Sequence, residues 1–331
     1  MNSHRTHIVF RCDGNAQIGL GHVYRCLALA QIIKDHYLIS FFSKTLPESL
    51  FTKIRSLGFS ANLIDDETDF LDCLRGSELI ILDNYQLDSF YQVTIKNKGC
   101  KLICIDDLHD KEFYADLIIN PAIGIDSSHY KCQPYTKFAL GIEYALLRPP
   151  FLKAATNVRQ IEKVETVFIC FGGSDPMNLT IRTLKLVLNS KKIRRVFVVV
   201  GAAFKNLNEI DSLIDNPVVE CFQNIDDDQM VSLMTTSDLA IVPASGILIE
   251  ILACGVIPIT CFYAKNQSDF HESITSFCDI NTIGPVDTEF EIRLKEELDL
   301  NLMSLNHGRN IQKILAQSAE RIREVIKSVL L

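Results

Sequence analysis

The sequence has no excess of positive charge. It contains 33 Lys and Arg residues against 41 Asp and Glu residues, which gives a formal net charge of −8 at pH 7. General nucleic-acid binding needs a basic surface that neutralises phosphates, so this balance argues against a general nucleic-acid binder. Local basic sites remain compatible with the composition.

A long uninterrupted apolar segment is also missing. The longest apolar stretch, residues 246–264, is interrupted by Glu250, Gly255 and Pro258, and the first residues hold no apolar run of the kind found in secretory signals. We therefore expect neither a membrane-spanning segment nor membrane association. Internal repeats and low-complexity segments are not visible either.

The eleven cysteines form no CxxC pair and no cluster with histidine at the spacing of a zinc site. Most of them stand in apolar runs, as Cys104 and Cys170 do, where a free thiol behaves as a small hydrophobic side chain. We therefore expect reduced core cysteines, no metal site, and a cytoplasmic protein.

What the sequence does contain is a regular alternation of short apolar runs with helical patterns. That alternation is typical of parallel strands covered by helices on both faces, and it predicts an α/β fold. A length of 331 residues with 47% hydrophobic side chains predicts two domains. The predicted strands are residues 7–11, 38–43, 79–82, 102–105 and 117–119, then 166–171, 195–200, 218–221, 239–242 and 258–261.

Adjacent prolines at positions 149 and 150 predict the domain boundary, because they disfavour both helix and central strand. Residues 1–148 then form one Rossmann-like domain and residues 151–331 another. In the second domain, residues 246–253 are predicted as a helix and residues 310–330 as a long amphipathic helix. Two such domains are expected to face a cleft at the carboxyl ends of their strands, where α/β sheets bind ligands.

A glycine turn that contains a histidine follows the first predicted strand. Gly19 and Gly21 let the backbone approach a ligand, and the unpaired N–H groups of the next helix favour an anionic or oxyanion-bearing group. His22 stands beside this turn, and an imidazole with an ordinary pKa of about 6.5 suits general acid or base catalysis. The structural alternative is a plain strand–helix connection.

A second glycine segment follows the first strand of the second domain. Gly172, Gly173, Ser174 and Asp175 offer a flexible turn, capping groups and N–H donors, which predict a loop that approaches a phosphate. Because the spacing is not that of a Walker loop and its lysine is missing, a simple Ser/Asp-capped helix start is the alternative.

Two further segments of the second domain carry polar groups at predicted strand ends. Ser245 and Gly246 form another turn, and Glu250 lies one helical turn further in apolar surroundings. A carboxylate there needs a partner, either a local cation or the hydroxyls of a ribose. Asn266 and Gln267 follow the next strand and suit hydrogen bonding to a sugar or phosphate, or form an ordinary polar loop.

Carboxylates follow the apolar strands of the first domain. Asp83, Asp106 and Asp107 stand where the carboxyl ends of parallel strands face a ligand, and their alternative role is to cap the next helix. Arg25 lies one helical turn beyond the histidine, and it is predicted either to bind substrate or to pair with Asp13.

Together these segments resemble the UDP-2,4-diacetamido-2,4,6-trideoxy-β-L-altropyranose hydrolases of pseudaminic acid biosynthesis, which are relatives of glycosyltransferases with the GT-B fold. The resemblance covers most of the chain. It rests on residues 10–13, 17–22, 82–85, 105–107, 172–175 and 265–267. The turn and helix from Ser245 to Glu250 also resemble the UDP-binding segment of the N-acetylglucosaminyl transferase of peptidoglycan synthesis. Asn84 departs from the histidine expected here in some members of the hydrolase family.

The resemblance implies inverting hydrolysis at the anomeric carbon of a UDP-sugar, with release of UDP and the free sugar and without a cofactor or metal. It implies that His22 deprotonates the attacking water, with Tyr85 and Asp83 near the sugar. The substrate-binding residues expected from the patterns and the resemblance together are Arg11, Asp13, Gly19, Gly21, Arg25, Asp106, Asp107, Gly172, Gly173, Ser174, Asp175, Ser245, Gly246, Glu250, Asn266 and Gln267. Two other functions remain open: a UDP-sugar glycosyltransferase, which needs an acceptor, and a non-catalytic nucleotide-sugar-binding protein.

Overall fold

A computed structural model describes residues 5–15, 17–201, 203–214, 216–278, 280–300 and 308–331. The chain divides into two compact units. The first unit comprises Met1–Pro149 and Gln317–Leu331, and the second unit comprises Pro150–Ala316. Each unit contains its own parallel sheet with helices in the connections, so the predicted α/β class with parallel sheets is confirmed.

The first unit has a seven-stranded sheet. Its strands in chain order are β1 His7–Cys12, β2 Leu38–Ser43, β3 Ser60–Leu63, β4 Leu79–Asp83, β5 Lys101–Ile105, β7 Leu117–Asn120 and β9 Lys137–Leu140, and a separate short pair is formed by β6 Glu112–Phe113 and β8 Lys131–Cys132. The helices of this unit are α1 Gly21–Ile33, α2 Glu48–Ser56, α3 Glu67–Cys73, α4 Ser89–Asn97 and α13 Ser318–Leu330, with two short 3-10 turns, Ser127–His129 and Ile142–Tyr144.

The strand order β3-β2-β1-β4-β5-β7-β9 determines where this sheet can bind a ligand. The connections run outward in opposite directions from β1 and β4, which are hydrogen-bonded neighbours. The loops that leave their carboxyl ends therefore separate and open a crevice between them. Every residue of β4 is buried, and so are five of the six residues of β1, so the carboxyl ends of both strands lie in the core.

The second unit has a six-stranded parallel sheet in the order β12-β11-β10-β13-β14-β15. Its strands are β10 Thr166–Ile169, β11 Arg195–Val200, β12 Val219–Gln223, β13 Leu239–Pro243, β14 Ile257–Phe262 and β15 Asn281–Pro285. Its helices are α5 Pro149–Ala155, α6 Leu179–Val187, α7 Leu207–Ile214, α8 Asp227–Thr236, α9 Gly246–Ala253, α10 Lys265–Phe277, α11 Phe290–Asp299 and α12 Gly308–Ala316. By the same argument, the crevice of this sheet lies between β10 and β13.

The sequence analysis expected the two prolines at the predicted boundary to disfavour a helix, and this expectation is wrong. They begin α5 instead. Proline is tolerated in the first turn of a helix, because the N–H groups of that turn have no intrahelical acceptor and the fixed φ of proline is already helical.

The single helix predicted over residues 310–330 is divided into α12 and α13. The prediction placed all of it in the C-terminal domain, but α13 belongs to the first unit. α12 packs against α9 in the second unit, whereas α13 packs against α1 and residues 142–144 of the first unit. Arg323 Nε donates to the carbonyl oxygen of Ile32 at 3.0 Å, and Lys137 Nζ donates to that of Ser328 at 2.7 Å. Helical periodicity reveals an apolar face but not which sheet covers it.

The eleven cysteines, all within the described residues, form no disulfide, and seven of them are buried, in agreement with the prediction of reduced core thiols. Within the described part of the chain, none of the helices combines the length and the apolar character that a membrane span requires.

Candidate active site

His22 and Asp83 form a buried pair at the crevice of the first sheet. His22 lies in the first turn of α1, Asp83 ends β4, and His22 Nδ1 lies 2.6 Å from Asp83 Oδ1. The histidine is 8% exposed and the aspartate 0% exposed. An ionised carboxylate can only accept, so Nδ1–H donates to Asp83, and in the neutral imidazole the lone pair is on Nε2. The ring is therefore oriented to act as a base through Nε2.

Arg25 keeps Asp83 ionised. Its Nε lies 2.5 Å from Asp83 Oδ2 and its Nη2 lies 2.6 Å from Oδ1, in a bidentate pair. Burial acts to raise the pKa of Asp83, but the charge and hydrogen bonds of Arg25 outweigh it and hold that pKa below its ordinary value. Asp83 is thus enclosed behind His22 and Arg25.

The structure also decides between partners for Arg25. The predicted alternative of pairing with Asp13 is wrong, because Arg25 binds Asp83 and, through Nη1 at 3.0 Å, Asp107. A spacing of three residues places Arg25 on the same face of α1 as His22, toward β4 and β5. Burial acts to lower the pKa of Arg25, and the attraction of Asp83 raises it well above its ordinary value.

Tyr85 completes the cluster around the histidine. Its ring meets the His22 ring edge-on, with centroids 4.4 Å apart and planes at 79°. The Tyr85 hydroxyl donates to Asp107, and burial together with this hydrogen bond raises the pKa of Tyr85, so the phenol stays protonated at neutral pH. The structure therefore brings together the predicted base, His22, and the two residues that the resemblance places with it, Asp83 and Tyr85.

The turn before α1 leaves its glycines open. Asn15 Oδ1 accepts the N–H groups of Gln17 and Ile18 at 2.8 and 2.9 Å, and Gly19 adopts a φ of +83°. Among the residues that the structure describes, none has an atom within 4 Å of a Cβ built on Gly19 or Gly21. The start of α1 therefore offers backbone N–H groups to a ligand.

Arg11 and Asp13, which were expected to bind substrate, are buried anchors between loops. Arg11 is 0% exposed and pairs with Asp13 at 2.8 Å and with Glu67 at 2.5 Å. Asp13 Oδ1 accepts the backbone N–H groups of Lys44 at 2.6 Å and Thr45 at 3.1 Å. Glu67 was missed, because a glutamate in the first turn of a helix carries no signal of a partner 56 residues away.

Asp106 has a similar anchoring role. It is 4% exposed, and its Oδ2 accepts the backbone N–H of His109 at 2.8 Å. Burial raises the pKa of Asp106 above its ordinary value. Asp106 does not cap a helix, the predicted alternative, because the next element after β5 is the strand β6; it closes a turn in the loop between them. Its neighbour Asp107 is more exposed and reaches Arg25 and Tyr85.

In the second unit, the loop after β10 divides into an open part and a cap. Gly172, Gly173 and Ser174 are exposed, and a Cβ on either glycine would meet no described atom within 4 Å. Asp175 is 3% exposed, and its two carboxylate oxygens accept the N–H groups of Leu179 and Thr180, each at 2.8 Å. Asp175 therefore caps α6, which is the alternative role named for this segment, and its carboxylate oxygens are used by the helix.

Gly201, at the end of β11, supports this loop and was missed by the sequence analysis. A Cβ on Gly201 would stand 2.4 Å from Gly173 Cα and 2.7 Å from its carbonyl oxygen. Only glycine allows this approach of the two backbones. The requirement arises between segments 28 residues apart, so no local pattern signals it.

The loops after β13 and β14 lie at the same edge, since β10, β13 and β14 are consecutive in the sheet. Ser245 precedes α9, Gly246 is exposed with no described atom within 4 Å of its Cβ position, and Glu250 is half-buried one turn further. Gln267 Oε1 accepts the N–H of Tyr263 at 3.0 Å, so this amide holds its own loop. The side chain of Asn266 lies outside the described residues.

This edge suits an anion. Helix α9 begins there, and its first N–H groups and dipole favour negative charge beside the open glycines, whereas the first N–H groups of α6 are already bound by Asp175. Among the described residues, no group of three or more His, Cys, Asp or Glu side chains is arranged to hold a metal ion.

Comparison with curated proteins finds distant relatives. An uncharacterised protein of Methanocaldococcus jannaschii is 29% identical over 266 residues, which cover 76% of this chain and 54% of that protein, so the chain spans about half of its length. The UDP-2,4-diacetamido-2,4,6-trideoxy-β-L-altropyranose hydrolase of Campylobacter jejuni is 29% identical over 276 residues, covering 78% of this chain and 93% of the relative. No protein-family model matches the chain.

Comparison with solved structures shows the fold. A UDP-glucosyltransferase from Polygonum tinctorium superimposes with a TM-score of 0.68 over 100% of both chains at 11% identity. The Anabaena protein HepE, solved in complex with UDP, gives a TM-score of 0.62 over 98% of this chain and 99% of that chain at 13% identity. The chain is therefore a distant relative of the hydrolase and has the fold of GT-B glycosyltransferases.

Proposed function

We propose that this protein hydrolyses a UDP-sugar at the anomeric carbon, and that the sugar is a 2,4-diacetamido-2,4,6-trideoxyhexose. The observation that carries the proposal is the His22–Asp83 pair, in which Nδ1 of a buried imidazole binds a carboxylate and Nε2 is the proposed base, at the crevice of a parallel sheet. The Campylobacter relative, a UDP-2,4-diacetamido-2,4,6-trideoxy-β-L-altropyranose hydrolase, supports this choice of sugar.

The reaction needs one base. Nε2 of His22 takes a proton from water as the water oxygen bonds to the anomeric carbon, and the bond from that carbon to the UDP oxygen breaks with its electron pair leaving on UDP. Ionised Asp83 stabilises the imidazolium that forms. Since UDP is a good leaving group, charge stabilisation and the position of the water contribute most of the remaining effect, and attack opposite the leaving group inverts the configuration.

Each unit carries proposed contacts of its own. In the second unit, Gly172, Gly173, Ser174 and the start of α9 are the proposed diphosphate contacts, since their N–H groups and the helix dipole favour phosphate. Glu250 is the proposed partner of the ribose hydroxyls. In the first unit, Tyr85 is 38% exposed beside His22 and is the proposed contact of the sugar.

A glycosyltransferase is the second candidate, because the likeness to a UDP-glucosyltransferase extends over the whole chain. The two activities differ in what attacks the anomeric carbon: water in the hydrolase, and an acceptor hydroxyl in the transferase. The buried position of His22 and its fixed tautomer are compatible with either nucleophile.

Incubation of the purified protein with a panel of UDP-sugars, without acceptor, tests the proposal. UDP should be released from the diacetamido sugar, and oxygen-18 from labelled water should enter the sugar. Release that requires an added acceptor would establish the transferase, binding without release would establish a sugar-nucleotide-binding protein, and label in UDP would mean attack at phosphorus.

A further inference from the structure

Asn84 lies in the chain between Asp83 and Tyr85, two residues that contact His22, and it makes two hydrogen bonds of its own. It is half-buried. Its Oδ1 accepts the backbone N–H of Gln86 at 2.8 Å, and its Nδ2 donates to Asp13 Oδ2 at 2.7 Å. One planar amide therefore shapes the loop after β4 and joins that loop to the loop after β1.

These two loops carry the parts of the candidate active site. His22 stands on α1, which continues from the loop after β1, whereas Asp83 and Tyr85 belong to β4 and the loop after it. The sheet pairs Asp83 with Cys12, and beyond that pair the course of the two loops places His22 against Asp83 at 2.6 Å and Tyr85 edge-on to the His22 ring. The bond between Asp13 and Asn84 connects the loops directly.

Asp13 is a rigid point of attachment. Its Oδ2 also accepts from Arg11 Nη2 at 2.8 Å, and its Oδ1 accepts from the backbone of the loop after β2. Arg11 is 0% exposed and is held in turn by Glu67. An amide bound to this carboxylate is thus fixed to the interior of the sheet and not to another surface loop.

We propose that Asn84 is a positioning residue, which holds Asp83 and Tyr85 in register with His22 through its bond to Asp13. The kinetic part of this inference rests on the proposed function. Serine at this position keeps an acceptor for the turn but is too short to reach Asp13, so the Asn84→Ser variant isolates the bond between the loops.

Asn120 offers a matched control in the same sheet. It ends β7, its Oδ1 accepts the N–H of Ala122 at 2.9 Å, and its Nδ2 donates to Tyr130 Oη at 2.8 Å. The Asn120→Ser variant therefore loses the same kind of long-range bond and keeps the same kind of turn, away from the histidine. Loss of stability alone would affect both variants.

NMR spectra of the full chain labelled with ¹⁵N-histidine measure the chemical shifts of the His22 ring nitrogens, which report its tautomer without any substrate. The His22→Gln variant assigns the signal. In Asn84→Ser, the Nδ1 and Nε2 shifts of His22 should move toward those of a mixture of tautomers, whereas Asn120→Ser should keep the wild-type shifts. An unchanged His22 signal in folded Asn84→Ser, or an equal change in Asn120→Ser, would overturn the proposal.

Kinetics supply the second measurement. A small misplacement of a catalytic group costs up to about 10²-fold, so Asn84→Ser should lower kcat by about tenfold to 10²-fold with little change in KM. Asn120→Ser should lower Tm and keep kcat. A raised KM at wild-type kcat would contradict the positioning role. If the wild type releases no UDP, the proposed function fails, and the spectra still decide the role of Asn84.

Discussion

At the scale of single residues, the site depends on how one carboxylate is shared. Asp83 serves His22 and Arg25 at once, and it remains charged in a fully buried position because Arg25 compensates for the loss of water. The sequence indicated the aspartate and the histidine separately, since each follows an apolar segment. It could not indicate the bond between them, which joins residues 61 positions apart.

Replacing His22 by alanine tests the base. We expect His22→Ala to lower kcat by about 10²–10⁴-fold, because proton removal from water loses its acceptor. The affinity for UDP, measured by calorimetry, should stay close to that of the wild type, because the proposed nucleotide contacts lie in the second unit. A variant that retains the wild-type rate would refute the role.

Replacing Asp83 by asparagine tests the orientation of that base and the charge balance. Asp83→Asn should lower kcat by about 10²-fold or more, because the amide no longer fixes the tautomer of His22. It should also lower Tm at neutral pH, since it leaves Arg25 without its buried counter-charge.

The folded-state pKa of Asp83 is depressed, so its stabilising contribution is present above the ordinary aspartate pKa and is lost as the pH falls through the folded-state value. The difference in Tm should therefore shrink in acid; a constant difference would contradict this assignment.

The contribution of Asp106 to stability should change with pH in the opposite direction to that of Asp83. Burial raises its folded-state pKa, so the ionised carboxylate destabilises the fold, and this cost develops as the pH rises from the ordinary aspartate value through the folded-state pKa. Asp106→Asn keeps an oxygen to accept the N–H of His109 and should raise Tm at neutral pH but not at pH 3. Thermal unfolding at the two pH values measures the difference, and a lower Tm at neutral pH would show that the charge is needed.

At the scale of elements, apolar runs predicted the central strands and one outer strand, β12, and missed the other three outer strands and the short pair β6 and β8. Residues 38–43 and 246–253 were predicted with the bounds that the structure shows for β2 and α9. The three missed outer strands are β3, β9 and β15, and β15 contains both Gly284 and Pro285. Outer strands are covered on fewer sides, so their sequences need no continuous apolar run.

The contact between β11 and the loop after β10 leads to a prediction at the same scale. Gly201→Ala would place a methyl group against Gly173 Cα and displace the open glycines. We expect the Kd for UDP to rise about tenfold, or about 1.4 kcal/mol, with a smaller effect on kcat at saturating substrate. Calorimetry with UDP measures this, and an unchanged Kd would remove the loop from the nucleotide site.

At the scale of the whole molecule, the chain passes from the first unit to the second and back again. Composition and length predicted two domains, but the return of α13 to the first unit depends on which apolar surface remains uncovered after the sheet has formed. Ile322, Ile326 and Val329 are buried there.

Removal of residues 317–331 should therefore destabilise the first unit. Burial of an aliphatic side chain contributes about 1.5–3 kcal/mol, so loss of these three approaches the whole stability of a domain. Hydrogen exchange of the truncated chain should show reduced protection in α1 and β9, with the second unit, residues 150–316, still protected. Reduced protection mainly in the second unit would contradict the division of the chain.

The same return of α13 sets an order of assembly during translation. All residues of the second unit, 150–316, are synthesised before α13, whereas the sheet that carries His22 is synthesised earlier and keeps one apolar flank uncovered until α13 follows. Of the two units, the one whose sheet is translated first is thus the one completed second.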